Sequence, residues 1–130
     1  MREIQVSAIT ALVKKLCMDA NYYLPDDIRQ SFVEGQEKEE SPLGREIFGQ
    51  MLENCDLARR DGVPICQDTG MAVVFAEIGQ DVHLTGGDFE AAVNAGVRQG
   101  YLEGYLRCSV VGDPLRRVNT DDNTPAVLYT

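Results

Sequence analysis

The densest group of reactive side chains in the 130-residue sequence is Pro64-Ile65-Cys66-Gln67-Asp68-Thr69-Gly70. It sets a thiol, an amide and a carboxylate side by side and ends in glycine. Pro64 drives Val63 toward an extended conformation, and Asp68-Thr69-Gly70 is a turn signal. The group therefore belongs to a loop between a helix and a strand, where a rigid frame commonly presents functional groups. With no secretory signal expected, the cysteines read as free thiols or metal ligands rather than disulfides. A carboxylate tuned by its neighbours can move protons. On residue types alone, a turn carrying an incidental cysteine explains the string equally well.

The second candidate is Leu106-Arg107-Cys108-Ser109. A planar guanidinium binds carboxylates through two parallel hydrogen bonds, although spacing alone also fits a surface arginine at a helix end. His83 has no ligand-spaced partner and reads as a solvated strand residue. The four cysteines are Cys17, Cys55, Cys66 and Cys108, with no C-x-x-C pair. Cys17 and Cys55 fall on apolar helical stripes and read as core. Neither a nucleotide-binding glycine loop, a zinc signature nor a nucleophile elbow is present.

Around these groups the chain alternates between helical and turn-rich segments. Ile4, Ala8, Ile9, Leu12, Val13, Leu16, Cys17 and Ala20 define a first amphipathic helix. A second opens at Leu24-Pro25-Asp26-Asp27, with proline in its first turn and acids complementing the helix dipole. A third begins at Ser41-Pro42, buries Leu43, Ile47, Phe48, Met51, Leu52 and Cys55, and stops at Arg59-Arg60-Asp61-Gly62. Met71 to Ile78 predicts a strand, and Val82-His83-Leu84 is expected to pair back on it as a hairpin. Asp88 caps a fourth helix whose Gly96, Gly100 and Gly104 recur at four-residue spacing. Each glycine costs about 1 kcal/mol relative to alanine, so something, such as another helix or backbone, should approach that face closely. Residues 113–122 are polar and turn-rich, and Thr124 to Thr130 reads as an apolar strand with an unprotected edge. The expected fold is α+β, a mainly helical single domain with a small β-hairpin after the Cys66 loop. Its divisions are a helical region 1–62, a loop and hairpin 63–84, and a helix and tail 85–130.

Composition narrows the partners. A net charge of −9 opposes binding to nucleic acid or to an anionic membrane surface. It leaves room for a small dicarboxylate held by a local arginine. No stretch approaches the roughly 18 apolar residues of a membrane span, and an acid among the first residues argues against a secretory signal. A cytoplasmic location is expected.

The string Ile65 to Gly70, followed by an apolar strand, resembles the first cluster-ligand motif of the class I (iron–sulfur) fumarate hydratase and L-tartrate dehydratase family. The likeness continues through Leu106-Arg107-Cys108-Ser109, Asp113-Pro114 and Asn119-Thr120-Asp121-Asp122-Asn123-Thr124-Pro125-Ala126. It covers roughly residues 40 to 130. The resemblance implies that residues 1–130 are the N-terminal portion of a fumarase-type alpha subunit, truncated relative to the family.

It also implies a 4Fe-4S cluster held by three cysteines with one iron left open as Lewis acid. Cys66 matches the first ligand. The other two lie downstream of the Asp-Asn-Thr-Pro-Ala string in the family, so no cluster is expected in this fragment alone. By the same resemblance Gln67, Asp68 and Arg107 bind substrate, Asp68 is the catalytic proton donor or acceptor, and Thr69 is a weaker contact. The implied reaction is reversible hydration of fumarate to malate, with L-tartrate dehydration the close alternative. The implied partners are the remaining alpha region and a beta subunit or C-terminal domain, in a homo- or hetero-oligomer.

Two further readings stand beside this one. Asp68-Thr69-Gly70 is also the aspartic-protease string, but that site needs a nearly all-β chain and apolar residues directly before the aspartate. The chain could instead be a non-catalytic docking domain for the rest of an assembly, using the glycine face of the fourth helix and the C-terminal strand.

Overall fold

The computed structural model describes all residues from 1 to 130. In chain order the elements are β1 (Arg2–Gln5), α1 (Val6–Tyr22), α2 (Asp26–Lys38), α3 (Pro42–Asp61), β2 (Val73–Phe75), β3 (Val82–Thr85), α4 (Phe89–Glu103) and β4 (Val127–Tyr129). The α+β class and the mainly helical content agree with the sequence. The contacts fall into two compact units, one of Met1–Met18 with Gln67–Thr130 and one of Asp19–Cys66.

The unit of Asp19–Cys66 is a helical hairpin. The acids Asp26 and Asp27 occupy the first turn of α2. The Ser41 side chain accepts from Gly44 N at the start of α3, Pro42 follows it, and Gly62 closes the helix in the left-handed region at φ 64°. The ring of Phe32 packs on that of Phe48 at 6.3 Å, and Arg29 pairs with Asp56 at 3.1 Å. Cys55 and Ala58 are buried. Leu43, Ile47 and Met51 stay exposed, contrary to the predicted stripe, because a two-helix layer covers only one side of α3.

The other unit is held by α4 lying against α1, from Thr10 to Cys17. A Cβ added at Gly96 would stand 2.6 Å from the Thr10 carbonyl oxygen, and one at Gly100 would stand 2.9 Å from Cys17 Cβ. This is the close backbone approach that the glycine spacing predicts. Val93, Val97 and Tyr101 of the same face are almost fully buried. Lys14 and Glu103 form an ion pair across the two helices. Asp88 caps α4, accepting from Ala91 N at 2.7 Å.

The strands correct the predicted hairpin. β2 does not pair with β3. It pairs in parallel with β4, Val73 opposite Val127 and Phe75 opposite Tyr129. β3 pairs in parallel with β1, Arg2 opposite Val82 and Ile4 opposite Leu84. Residues 127–129 therefore have a ladder on one side. The chain start is extended where helix is predicted, because Ile4 alone turns inward between exposed Glu3 and Gln5. Parallel partners need long crossovers, and the intervening helices supply them. Leu12 and Leu16 of the α1 stripe remain exposed and, with Phe75 and Ile78, line an apolar groove of about 310 Å³.

Candidate functional site

The segment before the motif loop is anchored within the helical hairpin unit. Ile65 N donates to the Asn21 carbonyl at 2.9 Å, and Asn54 Nδ2 donates to the Ile65 carbonyl at 2.7 Å. Both backbone groups of the residue before Cys66 are thus satisfied. Cys66 itself is exposed, as are Gln67 and Asp68.

Beyond Cys66 the loop belongs to the other unit, where it is fixed from several sides. Asp68 Oδ1 accepts from Gly70 N at 3.2 Å, an Asx turn. Gly70 takes φ 60°, a conformation that favours glycine. Thr69 Oγ1 accepts from Arg107 N at 2.9 Å. Tyr101 Oη donates toward the carbonyls of Thr69 at 3.0 Å and Gly70 at 3.3 Å. Asn123 Nδ2 donates to the Gly70 carbonyl at 3.1 Å. The Asn123 Oδ1 accepts from Ser109 N at 2.7 Å and Val110 N at 3.0 Å.

Asn123 is 0 % exposed and is the one fully buried polar side chain. Its segment is tied to α4 as well. Asn94 Oδ1 accepts from Ala126 N at 2.8 Å, and Arg98 Nε donates to Asp122 at 2.6 Å. Hydrogen bonds from the Thr124 hydroxyl and from Arg98 hold the Asp122 carboxyl down to about 2.

The structure therefore brings the Asp68-Thr69-Gly70 loop and the Arg107 segment together through their backbones. The guanidinium of Arg107 is exposed and carries no ion pair. Thr69, a weak contact candidate in the sequence, acts as the staple between the two segments. Tyr101 and Asn123 escaped sequence reading as site residues. Tyr101 lies on the buried face of α4 with Val93 and Val97, and a buried phenol needs a hydrogen-bond partner. Asn123 lay inside the quoted Asp-Asn-Thr-Pro string without an assigned role.

A 4Fe-4S cluster is held by thiolates. Exposed Cys66 suits one such donor. Cys17 packs on Gly100 and burial raises its pKa. Cys108 is also raised, by burial first and then by Asp122 and Asp121. Cys55 is buried. No three His, Cys, Asp or Glu side chains converge on a metal-sized site. The residues of this chain do not by themselves compose a cluster site.

Within the unit that holds Gln67–Thr130, two stapled segments thus carry an exposed carboxylate, Asp68, and an exposed guanidinium, Arg107. The sequence profile of the family described as fumarate hydratase (Fumerase) matches residues 10–130. The chain belongs to that family, whose members add or remove water.

Among similar proteins, the aerobic class I fumarate hydratase of Escherichia coli K12 is 35% identical over 127 residues, 95% of this chain and 23% of that protein. A putative L(+)-tartrate dehydratase subunit alpha of Methanocaldococcus jannaschii is 33% identical over 116 residues, 88% of this chain and 40% of that protein. The L(+)-tartrate dehydratase subunit alpha of Escherichia coli K12 is 27% identical over 119 residues, 92% and 39% of the two chains. The chain thus spans less than half the length of each of these relatives. No helix is long and apolar enough to cross a membrane.

Proposed function

We propose that this chain is the N-terminal portion of the alpha part of a 4Fe-4S hydro-lyase, and that the complete enzyme reversibly hydrates fumarate to malate. The observation that supports it most is the Thr69 Oγ1 bond to Arg107 N at 2.9 Å. It couples a loop carrying an exposed carboxylate to a segment carrying an exposed guanidinium, the two charges that a dicarboxylate substrate and its proton transfer need. In this reading Arg107 binds one substrate carboxylate, Gln67 binds through its amide, and Asp68 binds substrate and transfers the proton. Cys66 is one of three cluster thiolates, and the other two come from outside these 130 residues.

The partners in this reading are the rest of the alpha region and a beta subunit or C-terminal domain, in a homo- or hetero-oligomer. The name "subunit alpha" carried by two of the similar proteins favours that arrangement. Cytoplasmic residence belongs to the same reading, because a cluster ligand must stay a reduced thiol.

The test is Asp68→Asn in the complete assembly, assayed with fumarate and with L-tartrate. Loss of about 10²- to 10⁴-fold in kcat, with assembly unchanged by gel filtration, is expected. Retention of full activity would leave the docking-domain reading in its place. The similarity to L(+)-tartrate dehydratase alpha subunits keeps tartrate as the second substrate reading, and the assay with the larger kcat/KM decides it.

A further inference from the structure

We infer that Tyr101 and Asn123 are positioning residues for the reaction, fixing Asp68 relative to Arg107 through the backbone of the motif loop. The inference rests on the functional reading above and adds two residues that touch neither substrate nor cluster in it. The two side chains converge on one short stretch of main chain. Tyr101 Oη reaches the carbonyls of Thr69 and Gly70 at 3.0 and 3.3 Å. Asn123 Nδ2 reaches the same Gly70 carbonyl at 3.1 Å.

Asn123 also grips the other wall of the site. Its Oδ1 accepts from both Ser109 N and Val110 N, two and three residues beyond Arg107. A single buried amide therefore spans the loop after Asp68 and the segment after Arg107. The backbone of Asn123 takes φ 60°, a conformation that asparagine tolerates better than most residues. Neither clamp is needed to fill space. Phenylalanine would fill the Tyr101 site as well, and a buried amide is costly unless all its bonds are made. The bonds to the Thr69 and Gly70 carbonyls and from the Ser109 and Val110 amides all end on backbone within three residues of Asp68 or Arg107. Removing a positioning bond displaces the carboxylate without removing it, and small misplacements of that kind cost roughly 10- to 100-fold in rate.

The test uses the complete assembly and a double-mutant cycle of Tyr101→Phe with Asp68→Asn, read as kcat and KM for the preferred substrate. Tyr101→Phe alone should lower kcat by roughly tenfold. In the Asp68→Asn background the same change should have no further effect on kcat, because there is no carboxylate left to place. Equal loss in both backgrounds, or no loss from Tyr101→Phe alone, overturns the inference while leaving the functional reading intact. If Asp68→Asn itself leaves kcat unchanged, it is the functional reading that fails. Asn123→Leu provides a second cycle for assemblies that remain folded by circular dichroism, with the same expected non-additivity. Tyr101→Phe, which loses one hydroxyl, keeps the test decisive should Asn123→Leu fail to fold.

Discussion

The side-chain amide of Asn123 donates to the carbonyl of Gly70 at 3.1 Å, joining residues 53 positions apart in the chain. The same side chain accepts from Ser109 N and Val110 N with no solvent access. Asn123→Ala would orphan these groups and place a Cβ residue without a compensating bond at positive φ. A loss of about 2–4 kcal/mol is expected for the 130-residue chain, measured by urea denaturation. A change below about 0.5 kcal/mol would mean that water replaces the amide freely.

The approach of α1 to α4 gives a second stability test. Alanine would gain about 1 kcal/mol in helix propensity at Gly96. Its Cβ would also stand 2.6 Å from the Thr10 carbonyl and 2.7 Å from Val13 Cβ, both backbone or near-backbone atoms that cannot move away cheaply. Overpacking of that kind costs about 1–3 kcal/mol, so Gly96→Ala should lower the melting temperature. A raised melting temperature would show that the helices separate without cost.

Asp122 gives the pH dependence. Its carboxyl lies near 2 in the fold against an ordinary 3.8, with the Thr124 hydroxyl bond the largest cause. A depressed folded pKa contributes stability that is present above about pH 4 and is lost as pH falls toward about 2. Asp122→Asn should therefore be less stable than wild type at pH 7, with a flatter loss between pH 4 and 2. Denaturation midpoints at three pH values check it, and parallel curves would contradict it.

Arg107 is exposed and unpaired, so its replacement should leave the fold alone. Lysine keeps the charge but loses the two-bond fork. Arg107→Lys in the complete assembly should raise KM for the dicarboxylate about tenfold or more at unchanged melting temperature, in steady-state kinetics. An unchanged KM would remove Arg107 from the substrate site.

The helices were legible because their signals are local. Ser41-Pro42 and Gly62 bound α3, and Asp88 caps α4, each through contacts within a few residues. The glycine spacing of α4 announced a close neighbour, and α1 is that neighbour. Strand pairing was not legible, because β2 finds its partner at the end of the chain and β3 finds its own at the start. No turn chemistry between Phe75 and Val82 encodes either choice. Thr69, Tyr101 and Asn123 converge only once α4 is packed, so spacing could not reveal their shared role. Cys66 differs: its loop position was read from Pro64 and Gly70, and it is the exposed cysteine of the four.

The central claim is that Cys66 is a cluster ligand in a water-adding enzyme. It is tested most directly by anaerobic iron–sulfur reconstitution of the complete assembly and of its Cys66→Ala variant, followed by visible absorbance and fumarate hydration. The account predicts a cluster and activity in the first, the loss of both in the second, and neither in the 130-residue chain alone. Activity without iron, or an assembly indifferent to Cys66→Ala, would contradict it.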